Sequence, residues 1–140
     1  MNEKNLKILI LYAPDQTYTN TVYEYLNSFK LFSNHHVSYL SKYDFESQNI
    51  DISSYDVLIV NYTVRLPFLE VNSNLVIKLR NFSGIKVLFT QDEYNNVNKT
   101  KVIMSEIKFS IVFSCVPKDS LEFIYPSISF AGTKFVNVLT

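Results

Sequence analysis

Gln91-Asp92-Glu93-Tyr94 is the densest run of side chains able to do chemistry in this sequence. Two adjacent carboxylates offer a general base for an attacking hydroxyl, or acceptors for the hydroxyls of a sugar. On an extended strand they would face opposite sides, because alternate residues do. In a loop both can turn to useful work, which makes Asp92 and Glu93 the candidate catalytic residues. The competing assignment has one of them capping the next helix and the other solvated. Tyr94 either stacks on a sugar ring or packs its own loop. Asp15, Asn61, Arg65 and Gln91 join Tyr94 as candidate substrate-binding residues, because each falls at or just past the end of an expected strand.

Other chemistries lack their residues. There are only 2 glycines, Gly84 and Gly132. A dinucleotide fingerprint needs three glycines in six residues and a Walker loop needs two plus Lys, so phosphates are not cradled on a glycine-rich loop. The single Cys115 allows no intramolecular disulfide and no Cys-rich metal site; a buried, inert thiol is its expected state. His35-His36 has no Cys, Asp or Glu at ligand spacing and reads as structural or exposed. No metal and no cofactor is expected.

The 140 residues carry 13 Lys plus Arg against 13 Asp plus Glu. A net charge of zero provides no field of one sign to attract nucleic acid or an anionic membrane, and only Arg65 and Arg80 are arginines. The 47% hydrophobic content argues for a folded core. No window has the length of a membrane span. The N-terminus resembles no secretory leader, so a cytoplasmic location is the expectation.

The elements that must position the candidates follow from periodicity. Lys7 to Ala13 and Asp56 to Tyr62 are apolar runs of the kind buried on both faces of a parallel sheet. His35 to Leu40, Ile85 to Thr90, Ser110 to Ser114 and Phe135 to Leu139 complete about six strands. Tyr18, Val22, Leu26 and Phe29 predict an amphipathic helix ending near Ser33, with Asp15 or Thr17 as its cap. Tyr18, Tyr25, Phe29 and Phe32 form an aromatic stripe expected to serve as helix face and core. Leu75 to Phe82 predicts a second helix, with Gly84 as a left-handed terminator, and Val97 to Ile107 a third. Pro117 opens a short helix running through Tyr125. Ser41 to Tyr55 reads as a loop with one short turn.

This alternation predicts an α/β domain, a Rossmann-like three-layer αβα arrangement with a mainly parallel sheet and helices on both faces. In such sheets ligands bind outside the carboxyl ends of the strands. That rule gathers Asp15, Asn61, Tyr62, Arg65, Gln91, Asp92, Glu93, Tyr94 and Lys118 at one rim. A phospho-receiver would need an Asp at the end of the third strand and an acidic pair after the first. Asn61 and Ala13-Pro14 stand there instead, which argues against phosphorylation on Asp. The last strand, running to the end of the sequence, creates the expectation that the natural chain continues.

Lys7-Ile8-Leu9, the block Asp56 to Arg65, the block Lys86 to Tyr94, Val112 to Pro117, Tyr125-Pro126 and Val138-Leu139-Thr140 carry a resemblance across nearly the whole chain. Together they resemble the N-terminal domain of bacterial GT-B-type glycosyltransferases, family 1 in the broad sense. The resemblance implies that residues 1–140 are the acceptor-side half of a two-domain enzyme. A nucleotide-sugar donor would be gripped mainly by a C-terminal domain, and a glycan, lipid or small-molecule acceptor would be held by this one. The domain alone is expected to be inactive, with an exposed apolar patch where the second lobe docks. Two departures stand out. Ala13-Pro14-Asp15 replaces the Gly-Gly turn of many relatives, and Gln91 stands where many carry a His. A carboxylate from Asp92, Glu93 or Asp15, or the donor phosphate itself, would then have to assist catalysis. The alternative is a free-standing flavodoxin- or receiver-like binding or signalling module.

Overall fold

The computed structural model describes residues 3–138. Six strands form one sheet: β1 (Lys7–Tyr12), β2 (His36–Ser41), β3 (Val57–Val60), β4 (Ile85–Phe89), β5 (Ile111–Ser114) and β6 (Lys134–Asn137), in the order β2-β1-β3-β4-β5-β6. Every neighbouring pair is parallel. Among the described residues five α-helices connect them: α1 (Asn20–Phe32), α2 (Lys42–Ser47), α3 (Asn74–Asn81), α4 (Val97–Ile107) and α5 (Leu121–Ile124). The expected α/β class with a parallel, three-layer arrangement is what forms. The first five positions of the order are those of a flavodoxin-like doubly wound sheet, with β6 added at the edge.

The period-2 geometry of the strands divides the core in two. Leu9, Leu11, Leu58, Val60, Leu88 and Val112 point to one side, where Phe45 of α2, Leu75, Val76 and Leu79 of α3 and Ile103, Met104 and Ile107 of α4 cover them. Ile8, Ile10, Val57, Ile59 and Val87 point to the other, against Val22, Leu26 and Phe29 of α1. Right-handed crossovers explain the imbalance. Only the β1-to-β2 connection runs toward that edge of the sheet; the later connections run the other way and lie on the opposite face. Among the described residues α1 alone therefore covers its side. An aromatic ladder extends that side, from Tyr25 and Phe29 to Phe89, which stacks on Phe113 at 4.5 Å.

Lysines satisfy the carbonyl ends of three helices. Lys86, buried in β4, donates to the carbonyls of Arg80 at 3.1 Å and Ile107 at 2.6 Å, at the ends of α3 and α4. Burial, then Lys108, lowers its pKa. Lys78 donates to the carbonyls of Phe45, Glu46 and Gln48 around the end of α2. Such carbonyls have no partner within the helix, and cations suit the negative pole there.

Several local expectations are corrected. Residues 42–47 form a six-residue helix with Ser41 as cap, because the Phe45 side chain finds a buried place that local polarity does not reveal. Thr19, not Asp15 or Thr17, caps α1, accepting from the Val22 N–H. Of the aromatic stripe, Tyr25 and Phe29 pack together, but Tyr18 and Phe32 flank or end the helix at 81% and 87% exposure. The apolar run after Asp56 stays a strand only through Val60, and Asn61 then caps a 3-10 turn over Tyr62–Val64. The last strand spans Lys134–Asn137, and the Leu139 and Thr140 positions lie outside the described residues.

Gly84 does not end α3 in the left-handed region; that helix ends on an extended Phe82. Glycine is needed for space. A Cβ at Gly84 would lie 2.6 Å from the Asp56 carbonyl oxygen and 2.8 Å from the Phe82 ring. Gly84→Ala is expected to lower stability by about 1–3 kcal/mol through backbone displacement between β3 and β4. Denaturant unfolding measures it, and a change below ~0.5 kcal/mol would contradict the close approach.

Candidate functional site

The chain leaves β1 toward β2 and leaves β3 toward β4, in opposite directions, so a crevice opens at their carboxyl ends. A cleft of about 340 Å³ lies there, extending over the end of β4. Its lining includes Asn61, Arg65, Gln91, Asp92 and Glu93, so five of the seven candidate residues share one concavity. Asp15 and Tyr94 are not part of that lining. Asp15 sits in the 3-10 turn after β1 and accepts from the Tyr43 hydroxyl at 2.8 Å. That bond, then one from Gln16, lowers its pKa. Tyr94 is 83% exposed and borders a neighbouring cavity of about 660 Å³ with Gln91, Asp92, Glu93 and Cys115. The loop after β4 is thus a ridge between two hollows. Lys118 opens a 3-10 turn beyond β5 and lines neither of them.

The acidic pair divides its work. Glu93 is only 7% exposed. Its Oε1 and Oε2 accept from the Ser114 hydroxyl at 2.8 and 2.7 Å, Oε2 also from the Cys115 N–H at 2.8 Å, and Oε1 from the Tyr125 hydroxyl at 2.5 Å. The carboxylate joins the ridge to β5 and to the residue after α5. Burial, then Glu93 itself, drives the Tyr125 phenol well above its ordinary range. Asp92 is exposed on the ridge and receives only a long 3.4 Å contact from the Tyr94 hydroxyl. Neither acid caps α4, whose first residue follows Asn96 with no side-chain cap. Of the two, Asp92 has oxygens open to a ligand.

Asn61 forms the floor and is 1% exposed. Its Oδ1 accepts from the Thr63 N–H at 3.0 Å, which fixes the amide's orientation, and its Nδ2 has no partner. Thr63 in turn accepts from the Ala13 N–H, tying the β3 turn to the end of β1. Arg65 is exposed and lies over the Phe68 ring at 4.4 Å. It is the one Lys or Arg in the cleft lining and makes no ion pair among the described residues. Arg65, Asp92 and Asn96 all adopt left-handed backbone, at φ of 57°, 56° and 57°. Among the described residues, three of the four left-handed non-glycine positions therefore surround one cleft, the clustering typical of functional sites.

The rim carries residues that motifs alone do not assign to a site. Tyr18 and Phe68 line the cleft and are exposed, while Tyr94 faces the neighbouring hollow. Thr90, Asn95 and Asn96 add polar groups to the wall. The sequence signal for Tyr18 is its position just before the Thr19 cap, outside the helix whose periodicity it matches. Tyr25, beneath the site, has its phenol pushed to about 12 by burial and then Tyr62. Burial likewise raises the Cys115 thiol, with Glu93 and Asp92 adding to it. His35 is structural, accepting from the Leu6 N–H through Nδ1. Among the described residues no group of three or more His, Cys, Asp or Glu is arranged to hold a metal, and no helix is long and apolar enough to cross a membrane. Comparison with family models, curated proteins and solved structures gives no match to this chain.

Glu93→Gln keeps the shape but exchanges charge-assisted bonds for neutral ones and puts an amide donor against donors. A loss of about 1.5–3 kcal/mol is expected in denaturant unfolding, against less than ~0.5 for Asp92→Asn. Equal effects would contradict the division of labour. The lowered folded-state pKa of Asp15 means that its bond to Tyr43 stabilises above the ordinary carboxylate pKa of ~3.9 and is lost as pH falls through the folded value. Carboxyl NMR should find the Asp15 midpoint below ~3.9 and Tyr43→Phe should raise it.

Proposed function

We propose that the cleft binds a saccharide and that the chain is the acceptor-side half of a glycosyltransferase. The transfer would move a sugar from a nucleotide-sugar donor to a glycan, lipid or small-molecule acceptor. One observation carries this reading: a polar floor and wall of Asn61, Thr90, Gln91, Asp92, Asn95 and Asn96 in a cleft also lined by the exposed rings of Tyr18 and Phe68. Sugars present hydroxyls edge-on and apolar C–H faces, so side-chain amides and carboxylates with aromatic platforms are what they require. Asp92 acts as base toward the acceptor hydroxyl, being the acid with free oxygens. Gln91 and Arg65 orient the acceptor. Glu93 positions Asp92 by holding the ridge.

The donor would be gripped mainly by a second lobe. This chain supplies one wall, and transfer requires groups on both sides of the reacting bond. A cytoplasmic location accords with a nucleotide-sugar donor. The flavodoxin-like strand order favours a second reading, a binding module that performs no transfer, since one fold hosts many functions.

Saccharide binding to the chain, followed by NMR across a panel of mono- and oligosaccharides, should shift Gln91, Asp92 and Asn95 with saturation. Tyr18→Ala should weaken binding roughly tenfold through the lost stacking surface. The chain alone should release no nucleoside diphosphate from nucleotide-sugars. In the complete gene product, Asp92→Asn should cut turnover at least a hundredfold while acceptor binding survives. Absence of saturable saccharide shifts would sink the reading. Binding with no transfer by the complete gene product would favour the binding module.

A further inference from the structure

We infer that the same cleft contains an anion subsite, built for a phosphate group by Asn61, Arg65 and the first turn of α4. This deepens the saccharide reading and rests on it for the class of ligand, a phosphorylated sugar or sugar-nucleotide.

The first observation is the beginning of α4. A helix leaves its first N–H groups without intrahelical acceptors, and a side chain at the preceding residue usually takes one. Thr19, Ser41 and Ser73 do this for α1, α2 and α3. At α4 the capping residue Asn96 is left-handed, at φ 57°, and its side chain makes no capping bond. An N-cap normally has extended backbone, and the left-handed turn replaces it. No side chain caps the N–H groups of Val97, Asn98 and Lys99; around them Asn95, Asn96 and Thr100 line the cleft, and Val97 borders the neighbouring cavity. Such a terminus favours negative charge.

The second observation is independent of the helix. Asn61 Nδ2 is a buried donor with no partner, on a residue 1% exposed that lines this cleft. The Thr63 N–H holds Oδ1, so the amide cannot relieve Nδ2 by turning over. A buried donor left unmade is costly, and native structures retain few without a reason. An anionic oxygen entering the cleft satisfies it. Among the described residues, Arg65 adds the only Lys or Arg charge of the lining.

The carboxylates set the orientation. Glu93 is already engaged by Ser114, Cys115 and Tyr125, so its oxygens do not face an incoming anion unscreened. Asp92 stands on the ridge and repels a phosphate placed beside it. A ligand carrying both groups therefore places its phosphate between Asn61, Arg65 and α4, and a hydroxyl at Asp92. An unphosphorylated sugar fills only the second position.

The probe is inorganic phosphate, then pyrophosphate, added to the 140-residue chain at ionic strength held constant with sodium chloride. Backbone amides of Val97, Asn98 and Lys99 and the side-chain amide of Asn61 should shift together and saturate. Arg65→Gln, an exposed change, should weaken the affinity roughly tenfold. Asn61→Asp retains an acceptor for the Thr63 N–H but replaces the donor with negative charge, and should abolish saturation. Lys134→Gln, at the start of β6 and outside the cleft lining, should change nothing. Shifts that stay linear, that sodium chloride reproduces, or that survive both Arg65→Gln and Asn61→Asp overturn the subsite. Saccharide binding without phosphate binding would remove this inference alone. Phosphate binding without saccharide binding would keep the subsite and remove the sugar reading.

Discussion

A carboxylate taken out of water must be surrounded by donors or remain uncharged, and Glu93 meets that demand with Ser114, the Cys115 N–H and Tyr125. These partners come from β5 and from the residue following α5. The loop after β4 is thereby held across two later connections. The ridge it forms separates the two hollows, presents Asp92 and Tyr94 to solvent and brings the chain to α4 through the left-handed Asp92 and Asn96. The Glu93 bonds fix the cleft's wall to β5 and to the residue after α5.

The floor depends on a second polar chain. Thr63 accepts from Ala13 and donates its N–H to Asn61, so the ends of β1 and β3 are joined by side chains where the ladder stops. Buried amides and hydroxyls of this kind specify one arrangement because the alternatives leave groups unmade. The Nδ2 of Asn61 stays outside that network. That unpaired donor and the exposed Asp92 carboxylate are among the groups to which ligand roles are assigned.

At the opposite end of the sheet, polar groups serve stability. Lys86 and Lys78 close the carbonyl ends of α2, α3 and α4, and Asp56 accepts from the Lys7 N–H at 2.9 Å. The charged groups of the two ends thus have different roles. At the amino ends of the strands they complete backbone bonding, while at the carboxyl ends two of them, Asp92 and Arg65, stay exposed on the cleft. The two faces of the sheet are also unequal, α2, α3 and α4 covering one and α1 the other.

How far the sequence reaches follows from the range of the forces involved. Apolar runs such as Lys7–Tyr12 and Val57–Val60 are local, and with the helix periodicities of α1, α3 and α4 they determine the alternation and hence the parallel sheet. Because parallel strands share a direction, the gathering of Asn61, Arg65, Gln91, Asp92 and Glu93 at one rim also follows from order along the chain. Side-chain assignment does not follow. Asp92 and Glu93 are neighbours of the same chemistry, and only the donors supplied by Ser114 and Tyr125, 21 and 32 residues away, bury one and leave the other to solvent. Tyr43 draws Asp15 away from the cleft, from a helix that forms only once Phe45 has a core to enter. Gly84 matters for a contact with Asp56 that no local pattern encodes. Sequence alone determined the sheet and its rim, since these rest on periodicity and chirality; tertiary structure alone decided which polar groups remain available, since that depends on partners distant along the chain.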